Sequence, residues 1–405
     1  MTIGVGGKSE LDALAALTDM TAGLSPISLD EYQTRLDRAA YVMRQKGWRA
    51  MIAVAGTNML YFTGTHWHLS ERLVAVIVFD DGTMSYICPA FEQSTLEDFM
   101  VLKGPVATWE EHENPYECVA DVLTDRGLSE VDIGMDEAAP FFVSDGIRQA
   151  LPGCAFADGA AVTAACRMVK SEAEIALMQR AKDMTLAVQR ATASILREGI
   201  TTIEVAAFID QAHRKVGAPK GSYFVIVLFG EATAYPHGVK DPQTLQGGDM
   251  VLIDTGCQFH DYISDITRSY VFGEPTDRQR QVWDAEKSAQ AAAFEAAQVG
   301  ACVADVDAAA RADLESNGFG PGYKTPGLPH RTGHGIGLDI HEWPYLVGGN
   351  NAILVPGMCF SNEPMICVYG EFGVRLEDHF YMTEEGPKWF TEPSLSVDDP
   401  FGLEA

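Results

Sequence analysis

Two widely separated stretches of this chain repeat one design. In Gly248-Asp-Met-Val-Leu-Ile-Asp254 and in Gly357-Met-Cys-Phe-Ser-Asn-Glu363, a glycine stands six residues before a carboxylate that ends an apolar run. A second carboxylate follows each: Asp265 in Ser264-Asp-Ile-Thr-Arg268 and Glu377 in Val374-Arg-Leu-Glu-Asp378. Similar strand-like runs come next, Ser269-Tyr-Val-Phe-Gly273 and His379-Phe-Tyr-Met-Thr383. Two helical patterns precede each set. Ser171-Glu-Ala-Glu174 has the reciprocal Ser/Glu signature of a capping box, and its helix runs to about Arg197. Thr201-Thr-Ile-Glu204 opens another that stops at Gly217. The pair returns from Asp277 to Gly300 and from Val303 to Gly318. Between helices and carboxylates lie the strand Tyr223–Phe229 with the loop Tyr235-Pro-His237-Gly238 in the first copy, and His330–Trp343 in the second. Such a chain folds as two related helix–helix–strand–hairpin modules, each offering carboxylates on paired strands.

The rest of the chain is of a different kind. From Ser28 to about Val162, helix-like and strand-like segments alternate. Leu29–Gly47 has helical spacing, Ala50–Ala55 and Leu73–Phe79 read as buried strands, and Asp80-Asp-Gly82 turns the latter into Met84–Cys88. This predicts an α/β domain with at least one hairpin, and a boundary between Gly153 and Lys170. The expected domains are therefore 1–165 and 166–405, an α/β (α+β) architecture overall.

The formal net charge of −28 repels nucleic acid and anionic membranes, so neither is expected as a partner. None of the eight cysteines forms a C-x-x-C pair, and most lie in apolar runs, which suits reduced core thiols. With no secretory-type start and no run of eighteen apolar residues, a cytoplasmic enzyme is expected.

Asp254, Asp265, Glu363 and Glu377 are flanked by apolar residues, and an ionised carboxylate buried there needs a partner. Only Arg268 and Arg375 are close in sequence, too few for four carboxylates brought together by a pseudo-twofold. Divalent cations can do it. Adding one imidazole favours borderline ions such as Mn²⁺, Co²⁺ or Zn²⁺ over an all-oxygen Mg²⁺ or Ca²⁺ site. His330 and His334 are four apart, as on a helical face, yet Gly333, Gly335 and Gly337 argue against a helix there.

These motifs resemble the methionine aminopeptidase, Xaa-Pro peptidase and creatinase group, which has the pita-bread fold. The matching segments are Ile253-Asp-Thr-Gly256, Ser264-Asp-Ile-Thr-Arg268, Gly333-His-Gly-Ile-Gly337, Asn362-Glu-Pro364 and Arg375-Leu-Glu-Asp378, in order along 170–395. The first domain resembles the creatinase-type N-terminal domain, with Thr57–Gly64 similar to its typical strand. Within the group, the likeness is greatest to the Xaa-Pro dipeptidases (prolidases) and aminopeptidases P.

The resemblance implies a creatinase-like N-terminal α/β domain and a C-terminal pita-bread domain with internal pseudo-twofold repeat. It implies two divalent metal ions, Mn²⁺ first and Zn²⁺ or Co²⁺ as alternatives, held by Asp254, Asp265, His334, Glu363 and Glu377. A metal-bridging hydroxide would attack the peptide bond before proline in dipeptides or short peptides. Glu363 would move the proton, His341 and His237 would act at the scissile carbonyl, and His330 and Arg375 would hold the substrate. The resemblance also implies a homodimer. His66 and His68 are left without a role. The runner-up reading is a metal-dependent hydrolase or lyase of a small amide on the same, creatinase-like, fold. A creatinase-type enzyme without metal is disfavoured because all five ligand positions are filled.

Overall fold

The computed structural model describes residues 2–403. It forms two compact units, one of Ser25–Arg167 and one that joins the residues up to Leu24 to those from Met168 onward. The expected division at 165/166 differs at the N-terminus. That first segment, with the short helix α1 (Glu10–Ala15), is tied to the second unit by its backbone. Gly6 and Lys8 amides donate to the carbonyls of Ala193 and Ser194 (2.8 and 3.0 Å), and the Thr2 hydroxyl donates to Val271 O (2.7 Å).

In the Ser25–Arg167 unit, six strands make one mixed sheet: β1 (Ala50–Val54), β2 (Ala75–Phe79), β3 (Met84–Pro89), β4 (Val106–Trp109), β5 (Asp132–Met135) and β6 (Ala155–Asp158). Their order is β4-β3-β2-β1-β5-β6. The β1–β2 and β2–β3 pairs are antiparallel and the other three parallel. Helix α2 (Leu29–Lys46) begins where the Ser28 hydroxyl accepts from Glu31 N and ends at Gly47, whose φ of 76° suits a left-handed cap. Its stripe of Tyr32, Leu36, Ala39, Ala40 and Met43 is buried. Thr57–Gly64 corrects an expectation: it is helix α3 (Thr57–Thr63), not a strand. Gly56, at φ 137°, turns the chain off β1, and the Gly64 amide caps the helix on Leu60 O. A short apolar run flanked by glycines carries no period that separates the two states. Helices α4 (Gln93–Phe99), α5 (Pro115–Asp125), α6 (Phe141–Ala150) and α7 (Ala160–Arg167) complete the unit.

The second unit follows the repeat. Its first module contains α8 (Glu172–Ile195), α9 (Thr202–Lys215), β7 (Ser222–Phe229), β8 (Met250–Phe259), β9 (Tyr262–Ile263) and β10 (Ile266–Val271). The second contains α10 (Asp277–Ala296), α11 (Val303–Ser316), β11 (Gly333–Gly335), β12 (Glu342–Leu346), β13 (Cys359–Asn362), β14 (Met365–Val368), β15 (Phe372–Arg375), β16 (Asp378–Thr383) and β17 (Gly386–Trp389). Both predicted capping boxes form, at Ser171/Glu174 and Thr201/Glu204, and Thr276/Gln279 makes another. The sheets run β10-β8-β7 and β12-β11-β13-β16-β17, with β14–β15 as a separate hairpin.

Small details repeat with the modules. Gly199 N donates to Leu245 O and Leu245 N to Ile200 O, both at 2.9 Å; Gly300, Leu354 and Ala301 do the same at 2.9 Å. Gln189 and Gln290, each six residues before the end of its helix, bring fully buried amides to the carboxylate strands. This two-module arrangement is the pita-bread fold that the sequence motifs imply.

Candidate metal centre

Close backbone approach sets the candidate ligands. A Cβ added at Gly256 would lie 1.7 Å from Ser264 O, so only glycine lets the hairpin after Asp254 fold back and bring Asp265 alongside. At Gly333 an added Cβ would lie 2.1 Å from Ser361 O. The glycines around His334 therefore serve β11 as it packs against β13, and the i, i+4 histidine spacing is not helical.

Asp254 stands on β8 across from Thr267 of β10, and Asp265 lies just before β10. Glu363 follows β13, and Glu377 precedes β16. One ligand atom each from Asp265, His334 and Glu377 lies within 4.8 Å of the others. His334 Nε2 is 3.2 Å from Glu363 Oε1 and 3.9 Å from Asp265 Oδ2. His334 Nδ1 lies 3.0 Å from Gly335 O, a pairing that puts the proton on Nδ1 and turns the Nε2 lone pair toward the carboxylates. Two acceptors that close need something positive between them.

Charge accounting gives the same answer. Burial, then Glu377, Asp254 and Glu363, pushes Asp265 well above the usual carboxylate range. Burial, then Glu363 and Asp254, does the same to Glu377. Burial pushes Glu363 up too, but its neighbours, His334 first, then His330 and Arg375, outweigh it and hold it below its ordinary value. Asp254 Oδ1 and Asp265 Oδ1 are buried without a donor among the described residues. Arg375 reaches Asp254 Oδ2 at 2.5 Å. Arg268 instead pairs with Asp378 at 2.7 Å, away from the ligand carboxylates. Among the described residues, one arginine and, at longer range, the buried Lys182 thus face four carboxylates, and the donor set of carboxylates plus one imidazole fits divalent metal.

Beside this group opens a pocket of about 460 Å³, lined by His237, His330, His341, Glu363, Arg375 and Tyr369, among others. His341 lies with its ring 4.3 Å from that of His334 at 70°. Desolvation, then His334, pulls His341 down to about 4. His330 Nδ1 is 2.7 Å from Arg331 O, and its Nε2 is buried with no partner among the described residues. His237 is exposed. The structure thus places Asp265, His334 and Glu377 in one group of ligand-sized spacing, Glu363, His237, His330, His341 and Arg375 on the pocket wall, and Asp254 against Arg375.

Sequence reasoning missed the side chains that hold the ligands. Thr267 Oγ1 donates to Glu377 Oε2 (2.8 Å) and accepts from Arg375 Nε (3.0 Å). Ser361 Oγ donates to Glu363 Oε1 (3.3 Å) and accepts from His334 N (3.0 Å). His379 Nε2 lies 3.4 Å from Glu377 Oε1. Each stands two residues from a candidate ligand, and that period of two was the available signal.

The glutamines fasten the strands from behind. Gln189 Nε2 donates to Ile253 O and Ile266 O (2.9 and 2.8 Å), and Gln290 Nε2 to Leu376 O (3.0 Å), all next to candidate ligands. Gln290→Leu should cost about 1–3 kcal/mol of stability, since buried carbonyls lose their donor. Metal affinity should fall about 10- to 100-fold, read by Co²⁺ titration. Unchanged affinity would mean that the strands hold their carboxylates without the amide.

Comparison with known proteins agrees with this fold. Residues 176–384 match the model of metallopeptidase family M24, and 35–169 match the creatinase/prolidase N-terminal domain. The putative dipeptidase YkvY of Bacillus subtilis is 30% identical over 360 residues, covering 88% of this chain and 97% of that protein. An Xaa-Pro dipeptidase of Lactobacillus helveticus is 33% identical over 335 residues, covering 82% and 89%. The crystal structure of dipeptidase PepE from Mycobacterium ulcerans superposes with a TM-score of 0.84 at 33% identity, covering 91% and 97%. The chain therefore belongs to metallopeptidase family M24, with a creatinase/prolidase N-terminal domain ahead of its catalytic unit.

Proposed function

We propose that this enzyme is a di-metal hydrolase of the peptide bond before proline in Xaa-Pro dipeptides or short peptides. The observation that carries this is the position of Glu363, which touches His334 of the candidate metal-ligating group (3.2 Å) and lines the pocket at once. The similarity to an Xaa-Pro dipeptidase supports the choice of substrate.

Asp254, Asp265, His334, Glu363 and Glu377 would hold two divalent ions, with Mn²⁺ proposed and Zn²⁺ or Co²⁺ as alternatives. Bound there, the ions supply Lewis acidity and a water acidic enough to ionise near neutral pH. Glu363 Oε takes the proton of the attacking water and passes it to the leaving proline nitrogen. That nitrogen carries no N–H in the peptide, so its departure needs such a donor. His341, held neutral at pH 7 by burial and by His334, donates an N–H to the developing oxyanion. His237 stands on the same wall for the same task. His330 Nε2, buried and unpartnered, is oriented by its bond to Arg331 O and contacts substrate. Arg375 anchors Asp254 and closes the pocket floor.

Gly-Pro, Ala-Pro and Leu-Pro, assayed with added Mn²⁺ beside matching tripeptides and Xaa-Leu controls, should be cleaved at least about 100-fold faster than the controls. A pocket shaped for the ring makes that difference. Turnover of tripeptides alone would shift the assignment to an aminopeptidase. No turnover of any member would favour the small-amide reading.

A further inference from the structure

The loop that carries His341 is held by a buried ion pair to which the proposed chemistry gives no part. Between β11 and β12 the ladder slips: His334 pairs with Tyr345, but Gly335 pairs with Glu342. Such a slip re-aims side chains and leaves nearby amides outside the ladder. Glu342 takes up two of them. Its side chain folds back, and Oε1 accepts from the amides of Leu338 (2.9 Å) and Asp339 (3.1 Å). Oε2 takes the ammonium of Lys170 at 2.9 Å. The Lys170 and Glu342 side chains are only 2% and 4% exposed. Gly337 keeps the space open for them. A Cβ there would lie 2.9 Å from both Glu342 oxygens and 3.0 Å from Lys170 Cε.

Lys170 is itself tied by its backbone. Its amide donates to Gly357 O (2.8 Å), just ahead of β13, the strand that leads to Glu363. The loop of His341 and the strand of Glu363 therefore share one anchor. A buried ion pair adds little stability that apolar side chains of similar volume could not supply. Charge-assisted bonds to one carboxylate do fix geometry, here in the turn directly before His341. The His341 ring stands 4.3 Å from that of His334 and lines the pocket. We propose that Lys170 and Glu342 are positioning residues for His341, whose side chain their ion pair holds at the place where it meets the scissile carbonyl. The catalytic half of this inference rests on the role given to His341 above; the positional half can be measured without turnover.

The test uses the metal-loaded enzyme with Glu342→Gln, Lys170→Met and the two together. Each single change strands a buried charge or crowds two donors, whereas the double variant removes both charges and keeps an acceptor for the turn amides, so it safeguards folding. On Ala-Pro, all three should lower kcat about 10- to 100-fold with KM within about 3-fold, the loss expected when a reacting group is displaced. The double variant should be no worse than the worse single one, because the two residues act as a unit. Affinity for Co²⁺ should stay within about 3-fold. Placed on His341→Ala, the double change should cost less than about 3-fold more. A loss that multiplies in full on His341→Ala, or Co²⁺ affinity that falls in step with kcat, would show action other than through His341 and overturn the proposal.

Imidazole ¹⁵N spectra of the Zn²⁺-loaded protein read the positional half, with the His341 signals identified by their loss in His341→Ala. They should shift or broaden in the double variant, and unmoved signals would overturn the positioning role. Signals that move while His341→Ala keeps the kcat of the wild type would remove His341 from the chemistry and leave the positioning intact.

Discussion

Asp265→Asn is expected to lower peptide hydrolysis at least ~10³-fold and to remove at least one bound metal ion, because a ligand carboxylate supplies several kcal/mol of metal-centred stabilisation. The same change should make the metal-free protein more stable at neutral pH. Asp265 is buried among Glu377, Asp254 and Glu363, and its Oδ1 has no donor. Its folded pKa is raised, so between the ordinary carboxylate range and that raised value the folded state binds the proton and the unfolded chain does not. Stability from this group is then lost as pH rises through the window. In chelator, the asparagine variant should melt above the wild type at pH 7.5, and the gap should narrow toward pH 5 as Asp265 takes up its proton. With Mn²⁺ the order should reverse. Comparing variant with wild type at each pH removes the opposite slope of the buried neutral histidines, such as His213, which burial holds near 3. Calorimetry with and without chelator reads both effects. A variant that keeps its full metal content and activity would refute the metal assignment, and equal melting in chelator at every pH would refute the electrostatic one.

The largest loss of stability should come from Arg268→Met. Arg268 and Asp378 form an ion pair at 2.7 Å with almost no exposure, 1% and 0% for the two side chains. Arg268 also donates to the carbonyls of Thr267 (3.1 Å), Glu377 (3.0 Å) and Glu392 (3.2 Å). Asp378 takes further hydrogen bonds from Thr391 Oγ1 (2.8 Å) and Gln290 Nε2 (3.2 Å). Even so, burial outweighs Arg268 and raises Asp378 above its ordinary value. Removing the arginine leaves a fully buried carboxylate with only the more distant Lys287 to offset it, at a cost of about 3–5 kcal/mol. Adding Asp378→Asn should recover more than half of that loss, because the stranded charge is its main source. Denaturant unfolding of the single and double variants decides the matter. Equal losses in both would mean that the carbonyl contacts, not the charge, hold this layer together.

The sequence made the centre legible because the centre is repeated. A glycine before each carboxylate, and apolar flanks around it, mark a strand whose polar end cannot be left alone. That reasoning extends to the helix ends at Gly217, Gly300 and Gly318, all at positive φ in the structure. Partner choice was not legible. Arg268 and Arg375 sit in similar strand contexts, yet one meets Asp378 and the other Asp254, and only the packing of the two modules decides which. Thr267, Ser361 and His379 went unseen for the same reason: period two gives a face, not a neighbour. Thr57–Gly64 shows the limit of short apolar runs, and the segment up to Leu24 shows that backbone pairing, silent in composition, can assign a terminus to a distant unit.

Asp254 and Asp265 come from the first module, and His334, Glu363 and Glu377 from the second. An ion ligated from both is a cross-link, comparable to a disulfide that closes a long loop but able to dissociate. Closing a loop on the order of 100 residues removes about 4–5 kcal/mol of chain entropy from the unfolded state in the disulfide analogy. Ions held there would equip the pocket for chemistry and also fasten one half of the unit to the other. The lifetime of the folded chain, as much as its rate of turnover, would then follow the free concentration of metal around it.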